Sequence, residues 1–213
     1  MNNINIGKNY IIRLSAYKNA LSRFNDLGFV KVFSDNLADA IGVTSVQVRK
    51  DFSLFGISGN KKGGYQVVEL IENLNKILGK DNLQKAVVVG LGSIGSAMVK
   101  YKGFEKEGIA ITAAFDIDST KQDNSANPPI LPIDDLQDYI KTNKITIGII
   151  AVPDTAAQSV ADSMVSAGIK GILNFAPIRL RTAENIVVNN VNLVLELENV
   201  IYFVNAMARQ KKK

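Results

Sequence analysis

The sequence predicts an α/β protein: a helix-turn-helix head, a parallel-sheet body and a closing helix. Three observations carry this. The first eighty residues set apolar side chains at helical spacing and hold a surplus of basic ones. From residue 85 on, short β-branched runs alternate with helical stretches. The first of those runs enters a glycine-rich turn and the second ends at an acid.

Composition bounds the function classes. At 213 residues, with 46% hydrophobic and 21% charged side chains, the chain suffices for one large domain or two modest ones. Cysteine and histidine are both absent. That removes disulfides, thiolate chemistry and imidazole bases, and no metal is expected. No apolar run of about 18 residues occurs, so no membrane span is expected. The N-terminus lacks the basic-then-apolar order of a secretory signal, and a cytoplasmic location fits. The net charge of +5 is uneven: residues 1–80 carry 11 basic and 6 acidic side chains, residues 81–213 carry 14 of each. A basic head on a neutral body points to a polyanion as the partner of the head.

In the head, Leu14, Tyr17, Leu21 and Phe24 form one helical stripe, stopped at Asp26-Leu27-Gly28. A second helix is expected from a cap at Ser34 to Gly42. Thr44 and Gln47 have capping-box spacing at the start of a third. Its Val48, Phe52 and Phe55 would face inward, leaving Ser45, Gln47, Arg49, Lys50 and Ser53 facing outward. Such a helix fits the major groove of double-stranded DNA, where Gln and Arg can reach base edges and Lys can hold phosphates. Residues 55–67, rich in glycine around Lys61 and Lys62, read as a β-hairpin wing with both lysines at its tip. A further amphipathic helix over 67–78 completes a winged helix-turn-helix domain, residues 1–80.

The body opens with a buried strand, 85–89, that runs into Gly90-Leu91-Gly92-Ser93-Ile94-Gly95 and then a helix from Ser96. The next strand, 109–115, ends at Asp116, 21 residues after Gly95. Strand, glycine turn, helix and distant acid together are the context of a dinucleotide site on a Rossmann-type sheet. Gly90 permits the tight turn, Gly92 lets the backbone approach a pyrophosphate, and Gly95 lets helix and strand pack. Asp116 can accept hydrogen bonds from ribose hydroxyls and would repel a 2′-phosphate, which favours NADH and NAD+ over their phosphorylated forms. A coenzyme A or other nucleotide site on the same fold is the alternative. A helix starting over 132–136, strands at 145–152 and 171–175, a helix at 156–167 and a last strand at 192–197 would complete a domain of residues 81–197. Val152, Pro153 and Phe175 lie after strands, where open α/β sheets bind ligands, and are candidate walls for a nicotinamide. Residues 198–209 read as a helix apolar on more than one side, which either dimerises or packs on its own sheet; with the basic tail it makes a third segment, 198–213.

Several blocks in order, residues 47–56, the loop to Gly64-Tyr65, 101–104, 113–118 and 168–177, resemble the redox-sensing transcriptional repressor family Rex. The likeness spans about Arg13 to Phe203. It implies a homodimer with exchanged C-terminal helices that binds operator DNA when NAD+ prevails and releases it when NADH accumulates. It implies that Gly90, Gly92 and Gly95 hold the pyrophosphate, Asp116 the ribose, and that Tyr101 and Phe175 lie near the nicotinamide. Arg13 would belong to the switch between the DNA-binding and sensor domains. The chain departs from the family at Asn190-Val191-Asn192, where the family block ends in an acid that can partner that arginine; Asn192 is neutral. Its wing reads Lys61-Lys62-Gly63-Gly64, and lysine holds a phosphate as a point charge where arginine can bracket guanine. The rival reading, an NAD-dependent dehydrogenase, lacks both residues for a substrate domain and a histidine to take the hydroxyl proton; a second rival keeps the body as a purely structural partner of a DNA-binding head.

Overall fold

A computed structural model of the chain describes residues 7–59 and 63–210. The chain separates into two compact units, Met1–Leu83 and Gln84–Lys213. The first runs α1 (Lys8–Asp26), β1 (Lys31–Val32), α2 (Ser34–Ile41), α3 (Ser45–Leu54), β2 (Tyr65–Gln66) and α4 (Val67–Ile77). The apolar stripes of its helices meet in one core that includes Leu14, Tyr17, Leu21, Leu37, Val48, Phe52, Leu70 and Leu74. Phe52 meets the rings of Tyr17 and Tyr65 edge-on, each at 5.2 Å. Gly42 ends α2 at φ 73°, a left-handed turn that carries no Cβ penalty in glycine. Thr44 Oγ1 then accepts the Gln47 N–H at 3.1 Å and starts α3.

Three local expectations change in this unit. The cap of α2 is Phe33, whose N–H donates to Asn36 Oδ1 at 2.8 Å, so Ser34 is already helical. Only half of the capping box at α3 forms, because the Gln47 side chain donates to Asp51 rather than returning to Thr44. Among the described residues, no strand over 55–59 pairs with β2; it pairs instead antiparallel with β1, Lys31 opposite Gln66 and Val32 opposite Tyr65. The strand before α2 is therefore its partner. Lys61 and Lys62 lie outside the described residues.

The second unit runs β3 (Gln84–Val89), α5 (Ser93–Lys100), α6 (Gly103–Lys106), β4 (Ile109–Asp116), β5 (Ile130–Pro132), α7 (Leu136–Asn143), β6 (Ile147–Ile150), α8 (Asp154–Ala167), β7 (Gly171–Asn174), β8 (Val187–Asn190) and α9 (Leu193–Gln210). Its six strands are parallel in the order β5-β4-β3-β6-β7-β8. This is the doubly wound dinucleotide order, and it reverses between β3 and β6. The continuous apolar runs in β3 and β4 follow from burial on both faces: Val87, Val89, Ala113 and Phe115 pack on one side, Val88 and Ala114 on the other.

Here α5 begins at Ser93, three residues earlier than expected, which places Gly95 inside the helix. The 192–197 segment is not a strand. Asn192 Oδ1 accepts the N–H groups of Val194 at 3.0 Å and Leu195 at 3.3 Å, which caps α9 and makes 193–197 its first turns. The last strand is β8, whose Val187 and Val188 lie opposite Gly171 and Ile172. The expected boundary at 197/198 thus falls inside α9. That helix leaves Leu197, Val200, Val204, Tyr202 and Phe203 each more than half exposed.

Candidate functional site

The turn from β3 into α5 is held by backbone contacts that admit no side chain at two of its glycines. Gly90 sits at φ 92°, and a Cβ there would lie 2.6 Å from Ala151 O and 2.7 Å from Val152 Cγ1. A Cβ on Gly95 would overlap the carbonyl oxygen of Gly90. A Cβ on Gly92, in contrast, would meet nothing within 4 Å. Gly92 is the N-cap of α5, no side chain caps that end, and Gly92, Ser93 and Ile94 all line the adjoining cavity. A helix N-terminus with open amides and no side chain in the way is suited to phosphate oxygens.

Asp116 closes one side of this cradle. It is 7% exposed and ends β4. Its Oδ2 accepts the Leu91 N–H at 2.7 Å and Lys121 Nζ at 3.1 Å; its Oδ1 accepts the Asp118 N–H at 2.9 Å. Burial by itself would raise the carboxyl pKa, but the backbone donors of Asp118 and Leu91 and the Lys121 ammonium outweigh it and hold the group ionised below the ordinary carboxylate range. A carboxylate offers about four acceptor positions, so a position remains for a sugar hydroxyl.

The cavity measures about 770 Å³, the size of a cofactor site. Gly90 to Ile94, Asp116, Val152, Pro153 and Phe175 all line it, so the structure brings these expected residues together. Gly95 is buried behind the turn. Tyr101 does not reach the cavity: it ends α5, is 59% exposed, and stacks edge-on with Phe104 at 5.1 Å. Ile117, Lys121 and Ile133 line the cavity and were not singled out from sequence. Lys121 carried a signal, a lysine five residues past the acid that ends a strand.

In the first unit, α3 presents Lys50 and Ser53 outward, with Ser45 half-buried at its start. Arg49 is exposed, with Nη1 donating to Ser34 Oγ at 2.9 Å. Val46, 64% exposed, shares this outer face. Gln47 is not free: its Nε2 donates to Asp51 Oδ1 at 2.6 Å. Asp51 is 0% exposed and also accepts Arg13 Nε at 2.6 Å, Arg13 Nη2 at 2.7 Å and Tyr17 Oη at 2.9 Å. Burial would raise the Asp51 pKa; the donors on Arg13, Gln47 and Tyr17 reverse this and hold it low. Arg13 is therefore an ion-paired anchor, its guanidinium also 4.7 Å above the Tyr10 ring, and not a solvated helix start. Sequence reading missed Asp51. Its signal was position: it falls on the inward stripe of α3 beside Val48 and Phe52, where a carboxylate needs partners. Among the described residues no cluster of metal-ligating side chains occurs, and no helix is long and apolar enough to cross a membrane.

Comparison with known proteins agrees with both halves. A family model described as "CoA binding domain" matches residues 81–178, and one described as "Putative DNA-binding protein N-terminus" matches residues 5–53. The chain is 45% identical over 189 residues to a redox-sensing transcriptional repressor Rex of Carboxydothermus hydrogenoformans, covering 88% of this chain and 91% of that one. Among solved structures it is similar to the Rex-family repressor RSP. With beta-NAD+ and operator DNA, RSP superposes at a TM-score of 0.90 and 35% identity, covering 97% of this chain and 96% of that one. With beta-NADH the TM-score is 0.85 at 35% identity, covering 98% of each chain.

Proposed function

The chain belongs to the Rex family of redox-sensing transcriptional repressors, and from that premise we propose that it is a homodimeric DNA-binding repressor that reads the NADH/NAD+ ratio. It holds operator DNA with NAD+ and releases it with NADH. Rex proteins are repressors and not enzymes, and this chain needs no catalytic residue for that role. A location in the cytoplasm, where its DNA lies, follows from the same reading.

The observation that carries the reading is the glycine cradle closed by Asp116 in the same chain as a helix-turn-helix with a basic outer face. In it, residues 1–80 bind DNA, the sheet from β3 to β8 with its helices binds nucleotide, and α9 dimerises. Gly90, Leu91, Gly92, Ser93, Ile94 and Gly95 form the pyrophosphate cradle, and Asp116 receives the adenosine ribose. Val152, Pro153 and Phe175 wall the nicotinamide; Tyr101, which does not line this cavity, would approach it at the dimer interface. Ser45, Arg49, Lys50 and Ser53 face DNA, aided by Lys61 and Lys62, while Gln47, its amide held by Asp51, lies at the edge of that face. Arg13 and Asn192 belong to the switch. The exposed apolar side chains of α9 support the dimer, since a helix apolar on several sides calls for a second surface.

The physical basis of sensing is charge. Nicotinamide is cationic in NAD+ and neutral in NADH. Val152, Pro153, Phe175 and Ile133 offer the ring apolar walls, and burying an unpaired cation among them is costly. A dimer arrangement that encloses the ring thus favours the reduced form, and ligand shifts the balance by its differential affinity alone. The other arrangement sets two recognition helices about 34–36 Å apart, matching successive major grooves. Gel shifts on operator DNA test this: NADH at saturating concentration should release the DNA and NAD+ should not. Equal retention with both nucleotides would falsify the reading.

A further inference from the structure

Lys121 sits where the adenosine end of the cavity would decide between a free 2′-hydroxyl and a 2′-phosphate. It follows β4 in a single 3₁₀ turn, residues Ser119–Lys121, capped by Asp118, whose Oδ1 accepts the Thr120 N–H at 3.0 Å. From there Nζ reaches Asp116 Oδ2 at 3.1 Å and Asp118 Oδ2 at 3.9 Å, and the residue lines the cavity. The side chain is 40% exposed. It can therefore turn between the carboxylates and a ligand without leaving water.

The local charges set the consequence. Asp116 and Asp118 carry −2 between them, and Lys121 brings this corner to −1. An acid at this point rejects a 2′-phosphate, whereas a cation nearby accommodates one. Here both kinds of group occupy the same corner. We propose that Lys121 is a specificity-determining residue that opposes Asp116: it keeps the carboxylate oriented for a ribose diol and moderates its rejection of a 2′-phosphate, so that discrimination against NADPH is partial. This rests on the nucleotide-binding reading above.

The test is a paired titration of NADH and NADPH, followed by nicotinamide fluorescence, on the full-length protein, on Lys121→Gln and on Lys121→Arg. In Lys121→Gln the NADPH affinity should fall by about tenfold, the effect of one lost charge contact at intermediate dielectric, and the NADH affinity by less than about threefold. The NADPH-to-NADH ratio of dissociation constants therefore widens. Lys121→Arg keeps the charge and should restore the wild-type ratio. An equal loss for both nucleotides, or a ratio that stays put, overturns the proposal and leaves Lys121 as mere support for the pocket. Failure of the wild-type protein to bind NADH would instead overturn the reading on which it rests.

Discussion

Asp51 shows how one side chain ties the head together. A fully buried carboxylate is tolerated only with donors around it, and Asp51 has four, from Arg13, Tyr17 and Gln47. These join α1 to the middle of α3 and hold the Gln47 amide, so the outer face of α3 is positioned from inside. Arg13→Ala leaves the carboxylate without its counter-charge and should lower unfolding stability by about 2–4 kcal/mol, read from the denaturant midpoint at unchanged slope. The pH dependence has a definite sign. Asp51 is held below its ordinary value of 3.8 in the folded state, so the unfolded chain binds the proton first as pH falls. The stabilisation is complete above about pH 4 and is lost as pH drops through the folded value. Asp51→Asn should be less stable at neutral pH and show a shallower loss below pH 4. Superimposable acid limbs for the two proteins would refute a paired Asp51.

At the scale of elements, the turn from β3 into α5 separates folding from binding. Gly95→Ala drives a methyl into the Gly90 carbonyl, and Gly90→Ala strains a φ of 92° against Ala151; each should destabilise the second unit by more than about 2 kcal/mol. Gly92→Ala meets open space at an ordinary φ of −72°, so it should melt like the wild type yet bind NADH at least tenfold more weakly, because its methyl would stand in the proposed path of the pyrophosphate. Matching losses in melting temperature for all three variants would contradict this division. The capping of α9 is a second local device: Asn192→Ala should cost about 1 kcal/mol, and Asn192→Asp should keep the cap and gain slightly from the helix dipole. The same elements show what the sequence disclosed. The glycine turn and Asp116 were legible because their spacing encodes a backbone constraint that few other structures impose. The start of α9 was not: the leucines and valines of 193–197 suit a buried strand, and only the hydrogen bonds of Asn192 decide for helix. The wing pairing was hidden for a similar reason, since β1 and β2 are two residues each and lie over thirty residues apart. Arg13 and Lys121 were visible as charges, but their partners Asp51 and Asp116 are set by tertiary packing.

For the whole molecule, the proposed function makes coenzyme and operator two ligands of one equilibrium. Coupling between such sites is commonly about 1–3 kcal/mol, or roughly 5- to 150-fold in affinity, and it is reciprocal. If NADH weakens operator binding by some factor, operator DNA must weaken NADH binding by that same factor. NADH titrations followed by fluorescence, with and without saturating operator duplex, should therefore give dissociation constants whose ratio equals the ratio of operator affinities measured with and without NADH. NAD+ in place of NADH should give a ratio near or on the other side of one. The dimer enters the same balance: Val200→Glu on the exposed face of α9 adds a charge to the surface assigned to dimerisation, and should shift sedimentation toward monomer. Because a monomer offers one recognition helix instead of two, operator affinity should fall by more than tenfold in that variant while the NADH site keeps its glycine cradle and Asp116. A Val200→Glu protein that stays dimeric and holds operator as tightly as the wild type would show that α9 is not the dimer surface, whereas unequal ratios in the two titrations would show that the two sites do not share one equilibrium.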